Sequence, residues 1–338
     1  FVQNPWYPVA EPSDAQTSAD MADASRDLTA KLVKLVQAMQ EIKAEEDSRV
    51  NSYEIFVNQK QTHIRNSRGV DVTFSGFDCE IEVVTNSRKD DHEIEIYRDL
   101  RFSDKSAEKI IAEVRGMFHT GRQRLNAVPT RQNEHADVLL SGDAVGRFFQ
   151  YFAMHTNASY QYTGVAKAKI GEAITGADAD PLNIRLMPTL DGSAKNAPYD
   201  ETGMPVAERV LFENGICRSY WGSLQHAHYI GMKDTTSMNN MVVEGGSKTL
   251  DELRSMPHIE ITDFSAFDMD AVSGTCGGEI RLAYESDGTT SHPTTSGSLS
   301  ARYDDVLKNL TFSKETQQIN NRVVPCAVLL RDVTVAGE

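Results

Sequence analysis

The sequence predicts an α+β protein. Residues 1–120 read as an N-terminal antiparallel sheet with helices. Residues 135–338 read as a C-terminal β-rich domain, barrel- or sandwich-like, with short helices. Three observations carry this. Between Val50 and Asp99, polar and apolar residues largely alternate, the period of a sheet wetted on one face. Helical spacing flanks that stretch on both sides. Beyond residue 135, short apolar runs are divided by Gly, Asn, Asp and Pro.

Taken in order, residues 1–18 carry Pro5, Pro8 and Pro12 among small polar residues and read as an extended lead-in. Leu28, Leu32, Leu35, Val36, Met39 and Ile42 then recur at helical steps, and the pattern stops too soon for a coiled coil. Strands follow at Tyr53–Val57, Gln61–Arg65, Val70–Phe74, Cys79–Val84 and Glu93–Tyr97, with Asn66-Ser-Arg-Gly69 as turn chemistry. Asp104–Met117 reads as a helix capped by Ser103 or Asp104. Pro129 and a basic polar stretch over 121–134 mark a boundary. Ala136–Leu140 is a short buried strand. The helix starting near Asp143 presents Val145, Phe148, Phe149 and Phe152, with Ser141 available as its N-cap.

Further strands are expected at Leu182–Met187, Glu279–Tyr284 and Val324–Val335. Val206–Phe212 and Ile216–Trp221 form a hairpin around Glu213-Asn-Gly215. Ser286–Gly297 reads as a loop, and Leu250–Met256 and Tyr303–Leu310 as short helices.

Composition narrows the function classes. The 338 residues hold 34 Lys+Arg against 49 Asp+Glu, a formal charge of −15 with no basic stripe, which opposes direct nucleic-acid binding. No apolar run approaches a membrane span, and no signal peptide is visible. Cys79, Cys217, Cys276 and Cys326 are far apart and form no C-x-x-C pair, so reduced thiols in a cytoplasmic protein are expected. The chain begins at Phe1, which reads as a start truncated naturally or by design.

Few residues offer chemistry of their own. His226 and His228 form the one close histidine pair; on a strand they would share a face and could ligate a metal, but roles in structure or in a substrate groove are favoured. His63, His92, His119, His135, His155, His258 and His292 are isolated and read as ordinary polar positions. Cys276 and Ser273 lie in Ser273-Gly-Thr-Cys-Gly-Gly-Glu279, where no neighbouring base would activate either, so a tight turn is the favoured reading. Asp200 and Glu201 place two carboxylates in a turn.

Six short signatures occur in a fixed order. They are Asn66-Ser-Arg-Gly69, Ser141-Gly-Asp-Ala-Val-Gly-Arg-Phe-Phe149, Asp200-Glu-Thr-Gly-Met-Pro205, Phe212-Glu-Asn-Gly-Ile-Cys217, Thr262-Asp-Phe-Ser265 and Val333-Thr-Val-Ala-Gly337. In that order the chain, from about Val50 onward, resembles the TldD/PmbA family. Its members pair as a metalloprotease subunit (TldD) and a sister subunit (PmbA, also called TldE). The catalytic type carries His-Glu-x-x-x-His on a helix. The matching positions here are Gly142, Asp143 and Arg147, so neither imidazole is present and the acid is shortened. Glycine offers no ligand and a guanidinium repels Zn²⁺. The resemblance therefore implies the sister type: no catalytic residue and no metal of its own, with zinc expected only in a TldD-like partner. It implies work on extended peptides, in proteolysis or peptide maturation, and a cleft near Asp200, Glu201, His226 and His228. It further implies a homodimer when alone and a heterodimer with a TldD-like subunit, despite the family's old label as a modulator of DNA gyrase. Family members usually have a longer N-terminal region than this chain. The alternatives are a self-associating, non-enzymatic peptide- or protein-binding protein, and a hydrolase using His226, His228 or Cys276.

Overall fold

A computed structural model of the chain describes residues 6–13, 19–20 and 28–338. Most of the expected lead-in, residues 1–5 and 14–18, lies outside the described residues. The helix α1 (Leu28–Gln40) is followed by three long antiparallel strands, β1 (Ser48–Arg65), β2 (Asp71–Lys89) and β3 (His92–Phe102), and by the helix α2 (Ala107–Leu125). The strands are longer than the five expected segments because polar residues such as Asn58 to Gln61 stay in register with β2, although both of their faces are exposed. Alternation weakens there while backbone pairing continues. One sheet face is buried by α1 and α2 through Leu35, Met39, Ile81, Val83, Ile110, Val114 and Phe118. Ser106, not Ser103 or Asp104, caps α2 by accepting from the Lys109 N–H at 3.4 Å. The helix runs past Met117 to Leu125, into the stretch expected as a boundary.

The chain then lays down β4 (Asn133–Ser141), α3 (Ala144–His155) and α4 (Ala158–Thr163). Next come β5 (Ile184–Met187), β6 (Arg209–Glu213), β7 (Ile216–Cys217), α5 (Leu224–Tyr229), β8 (Asn240–Val243) and α6 (Leu250–Arg254). The last third supplies β9 (His258–Asp270), β10 (Thr275–Ser286), β11 (Ser298–Arg302), α7 (Tyr303–Val306), β12 (Thr316–Ile319), β13 (Arg322–Pro325) and β14 (Ala327–Ala336). The β-rich part is a barrel. Strands β9, β4, β14, β11 and β10 pair in that order, and β10 pairs again with β9, which closes a ring of five. A six-stranded sheet, ordered β12-β13-β8-β5-β6-β7, stands beside it.

Helix α3 links the two. It touches β4 and β9 of the barrel and β13 of the second sheet, and is buried on nearly every side. That burial explains its apolar run, since a helix enclosed all round needs no polar stripe. Phe148 packs edge-on to Phe149, at 5.5 Å between ring centroids, and stacks on Tyr303 at 4.9 Å. The single strand expected over Val324–Val335 is two strands in different sheets, separated by Cys326. The expected loop Ser286–Gly297 contains a short strand, Ser291–Thr295, paired with β10.

Phe148→Ala should remove the ring at the centre of this core. The expected loss is about 3–5 kcal/mol of unfolding free energy, measured by urea titration.

Candidate functional site

The degenerate motif sits at the corner between β4 and α3. Gly142 has φ +66°, and a Cβ built on it would lie 2.5 Å from the Thr262 carbonyl oxygen. The contact arises because β9 runs parallel to β4, with Ile261 opposite Leu140, and passes directly over the turn. Both the left-handed backbone and the missing space require glycine. Ser141 does not cap α3 as expected; its hydroxyl donates to the Ile261 carbonyl at 3.4 Å. Asp143 holds the N-cap position without a side-chain capping bond.

Asp143 and Arg147 are exposed and line a pocket of about 220 Å³, together with Arg98, Gly142, Ala144 and residues 262–267. The structure thus brings the signatures Ser141–Phe149 and Thr262–Ser265 into one wall. The second signature falls where β9 loses regular register with β10, at shifts between Ile261 and Phe267. Such bulges re-aim side chains. Here Asp263 turns to accept a hydrogen bond from Arg98 Nη2 of β3 at 2.9 Å, tying the N-terminal sheet to the barrel. Arg147 Nη1 donates to the Phe267 carbonyl at 3.3 Å.

The signatures at Asn66–Gly69 and Asp200–Pro205 form a second meeting point. Asp200 Oδ1 accepts from the Thr202 N–H at 2.8 Å, the Thr202 hydroxyl at 2.7 Å and the Met204 N–H at 3.0 Å, so this carboxylate holds its own turn. Glu201 is exposed beside it. Gly203, at φ +84°, lets the turn close on Val70 and Ile64 of the N-terminal hairpin. Ala10, Val70, Val72 and Tyr199 bury one another there, with Leu224 at the edge.

Leu224 opens α5, which carries His226 and His228. The pair is therefore helical and not on a strand. Two residues apart on a helix, side chains diverge by about 200°, so the shared-face geometry required for joint ligation is lost. Ser223 caps the helix, accepting from the His226 N–H at 3.4 Å. His226 lies 5.9 Å from the Tyr162 ring, whereas His228 meets Trp6 at 6.1 Å. Among the described residues, no three His, Cys, Asp or Glu side chains converge as metal ligands would.

Cys276 lies near the start of β10 and faces the core; burial pushes its thiol up to about 12. The residues around it are therefore strand and not only turn. A buried polar cluster was missed in the sequence. His155 is not an ordinary polar position but fully buried, and its Nδ1 accepts from the Lys167 N–H at 3.1 Å. Burial, with Lys167 nearby, pulls its imidazole down to about 4. Tyr151 stacks on Tyr303 at 3.7 Å and meets His155 at 4.2 Å. Helical spacing from Phe148 to Tyr151 and His155 was the available signal.

Two outcomes follow from this geometry. Gly142→Ala should cost roughly 1–3 kcal/mol or more, because strain and a backbone collision combine, and urea unfolding would read it. His155 is held neutral in the fold, so the unfolded chain binds more protons between the two pKa values. Its contribution is full above pH ~6.5 and should be lost as pH falls toward about 4, a change on the order of 3 kcal/mol. His155→Phe should flatten that part of the stability–pH curve.

Curated proteins give no match to this sequence. Solved structures do. TldE from Thermococcus kodakarensis superposes with a TM-score of 0.77 at 18% identity, over 98% of this chain and 80% of that one. A candidate modulator of a DNA gyrase from Thermotoga maritima gives 0.76 at 17% identity, over 99% and 81%. A counterpart from Bacteroides thetaiotaomicron gives 0.71 at 16%, over 98% and 76%. At these identities the likeness establishes the fold. Residues 133–337 match the family model described as the PmbA/TldA metallopeptidase C-terminal domain. With more than half of its length in that match, the chain belongs to the PmbA/TldD family.

Proposed function

We propose that this chain is the PmbA/TldE-type subunit of a TldD-type metallopeptidase complex, acting in proteolysis or maturation of extended peptides. The observation that carries the reading is the Gly142 corner, where the Thr262 carbonyl occupies the space a histidine side chain would need. Arg147, at the second imidazole position, brings a fixed cation to the same wall. The chain's own residues supply a binding wall and assembly surfaces. Zinc bound by a TldD-like partner would supply the polarised water. The TldE neighbour supports this assignment through its fold.

The long strand β1 forms one edge of the N-terminal sheet and offers backbone groups for pairing with a peptide or a second subunit. Four unpaired cysteines suit a reducing, cytoplasmic setting. No helix among the described residues is long and apolar enough to cross a membrane.

The test is capture from native lysate, combined with light scattering over a dilution series. The expected result is a dimer of the isolated chain, co-purification of a protein bearing His-Glu-x-x-x-His, and peptidase activity only when both are present. A monomer at every concentration that captures no such protein would contradict the proposal. A homodimer without a TldD-like partner would favour a self-associating binding protein instead.

A further inference from the structure

We propose that the pocket at the front of α3 receives a carboxylate of a bound extended peptide, with the Arg147 guanidinium as its principal donor and Arg98 forming the opposite wall. The inference rests on the reading of this chain as a peptide-cleft subunit and names the chemistry that cleft selects.

In a chain of net charge −15, carboxylates are plentiful, and many partly buried guanidiniums have one. Arg254 is held by Glu260 at 2.7 Å, Arg98 by Asp263 at 2.9 Å and Arg331 by Asp137 at 3.0 Å. Among the described residues, Arg49, Arg88, Arg115, Arg124, Arg147, Arg302 and Arg322 have no carboxylate within ion-pair distance, and three of these, Arg124, Arg147 and Arg322, are near this corner. Arg322 lies against Gly146, and its Nη2 donates to Gln150 Oε1 at 3.2 Å. Its Nε is buried without an acceptor, as is that of Arg124. Burial pulls both groups below the usual guanidinium range; Arg147 adds to this for Arg322, and Arg281 and Arg98 add to it for Arg124. The Asp263 carboxylate opposes the shift at Arg124 but is already bonded to Arg98.

Asp143 also lines the pocket, one turn before Arg147, and has no ion-pair partner among the described residues. Arg281, the remaining cation nearby, faces Glu279 at 3.4 Å. Two carboxylates, Asp143 and Asp263, therefore stand against Arg98, Arg124, Arg147 and Arg322. The local excess is positive in an acidic protein.

Donor geometry points the same way. A guanidinium has five N–H donors in a planar fork suited to a carboxylate. Arg147 uses Nη1 on the Phe267 carbonyl, and no other acceptor engages it among the described residues. About 220 Å³ has room for one acidic side chain or a terminal residue, and is small for a cofactor. Residues 262–267, where β9 shifts register against β10, form part of the wall.

The test is fluorescence anisotropy of the full chain with a labelled, short Ala-Gly peptide carrying one central Glu and a free C-terminus. Two sister peptides have the C-terminus amidated or the Glu replaced by Gln. Neutralising the recognised carboxylate should weaken binding about tenfold or more, and the sister peptide that loses affinity identifies the source. Arg147→Gln should abolish the difference between peptides, and Arg147→Lys should restore part of it, with unchanged circular-dichroism melting as the control for folding. Equal binding of all peptides overturns the proposal, as does an unchanged preference in Arg147→Gln or an absence of binding both alone and with the captured partner. Displacement by millimolar inorganic phosphate also overturns it, marking a general anion site. Loss of carboxylate preference in a chain that still captures a TldD-like protein refutes the pocket alone; failure of capture refutes the reading beneath it.

Discussion

The close passage of β9 over the Gly142 corner is the constraint on which the rest of the site depends. With the Thr262 carbonyl at the position a Cβ would crowd, β4 must turn abruptly, and α3 starts only two residues later. That start sets the helix so that Phe148, Phe149 and Phe152 enter the core while Asp143 and Arg147 remain outside. The buried rings then hold barrel and second sheet together through one element. Core and pocket are two sides of the same helix.

The same corner explains how family membership and a changed motif coexist. A helix that anchors the core this thoroughly persists for packing reasons whatever its exposed face carries. The exposed positions Asp143 and Arg147 are then free to vary, while the corner itself requires glycine at 142. The neighbouring bulge in β9 turns Asp263 toward Arg98, so the N-terminal sheet is fixed against the barrel beside the pocket.

Much of the fold could be read from the residues. Alternation located the N-terminal sheet, helical spacing located α2 and α3, and Asn214-Gly215 marked the hairpin between β6 and β7. Closure of the barrel could not be read, because it depends on β4 pairing with β9 and with β14, which sets Val138 against Ile259 and Leu140 against Val328, long-range choices with no local pattern. The helix carrying His226 and His228 was not expected, although Ser223 stands three residues before His226, the spacing of an N-cap. Gly142, Asp143 and Arg147 could be singled out as a run without an imidazole. What the sequence could not contain was the reason for Gly142, which lies 120 residues away in the Thr262 carbonyl, or the company of Arg98 and Asp263 around Arg147.

The central claim is that this corner cannot host the family's metal and that the chain works by presenting a wall to a partner. Elemental analysis of the full chain, purified without chelator and dialysed against micromolar zinc, tests it most directly. The account predicts zinc well below one equivalent per chain, unchanged in a His226→Ala, His228→Ala double variant. One tightly held zinc per chain that survives in that double variant and is lost in Asp143→Ala would contradict it.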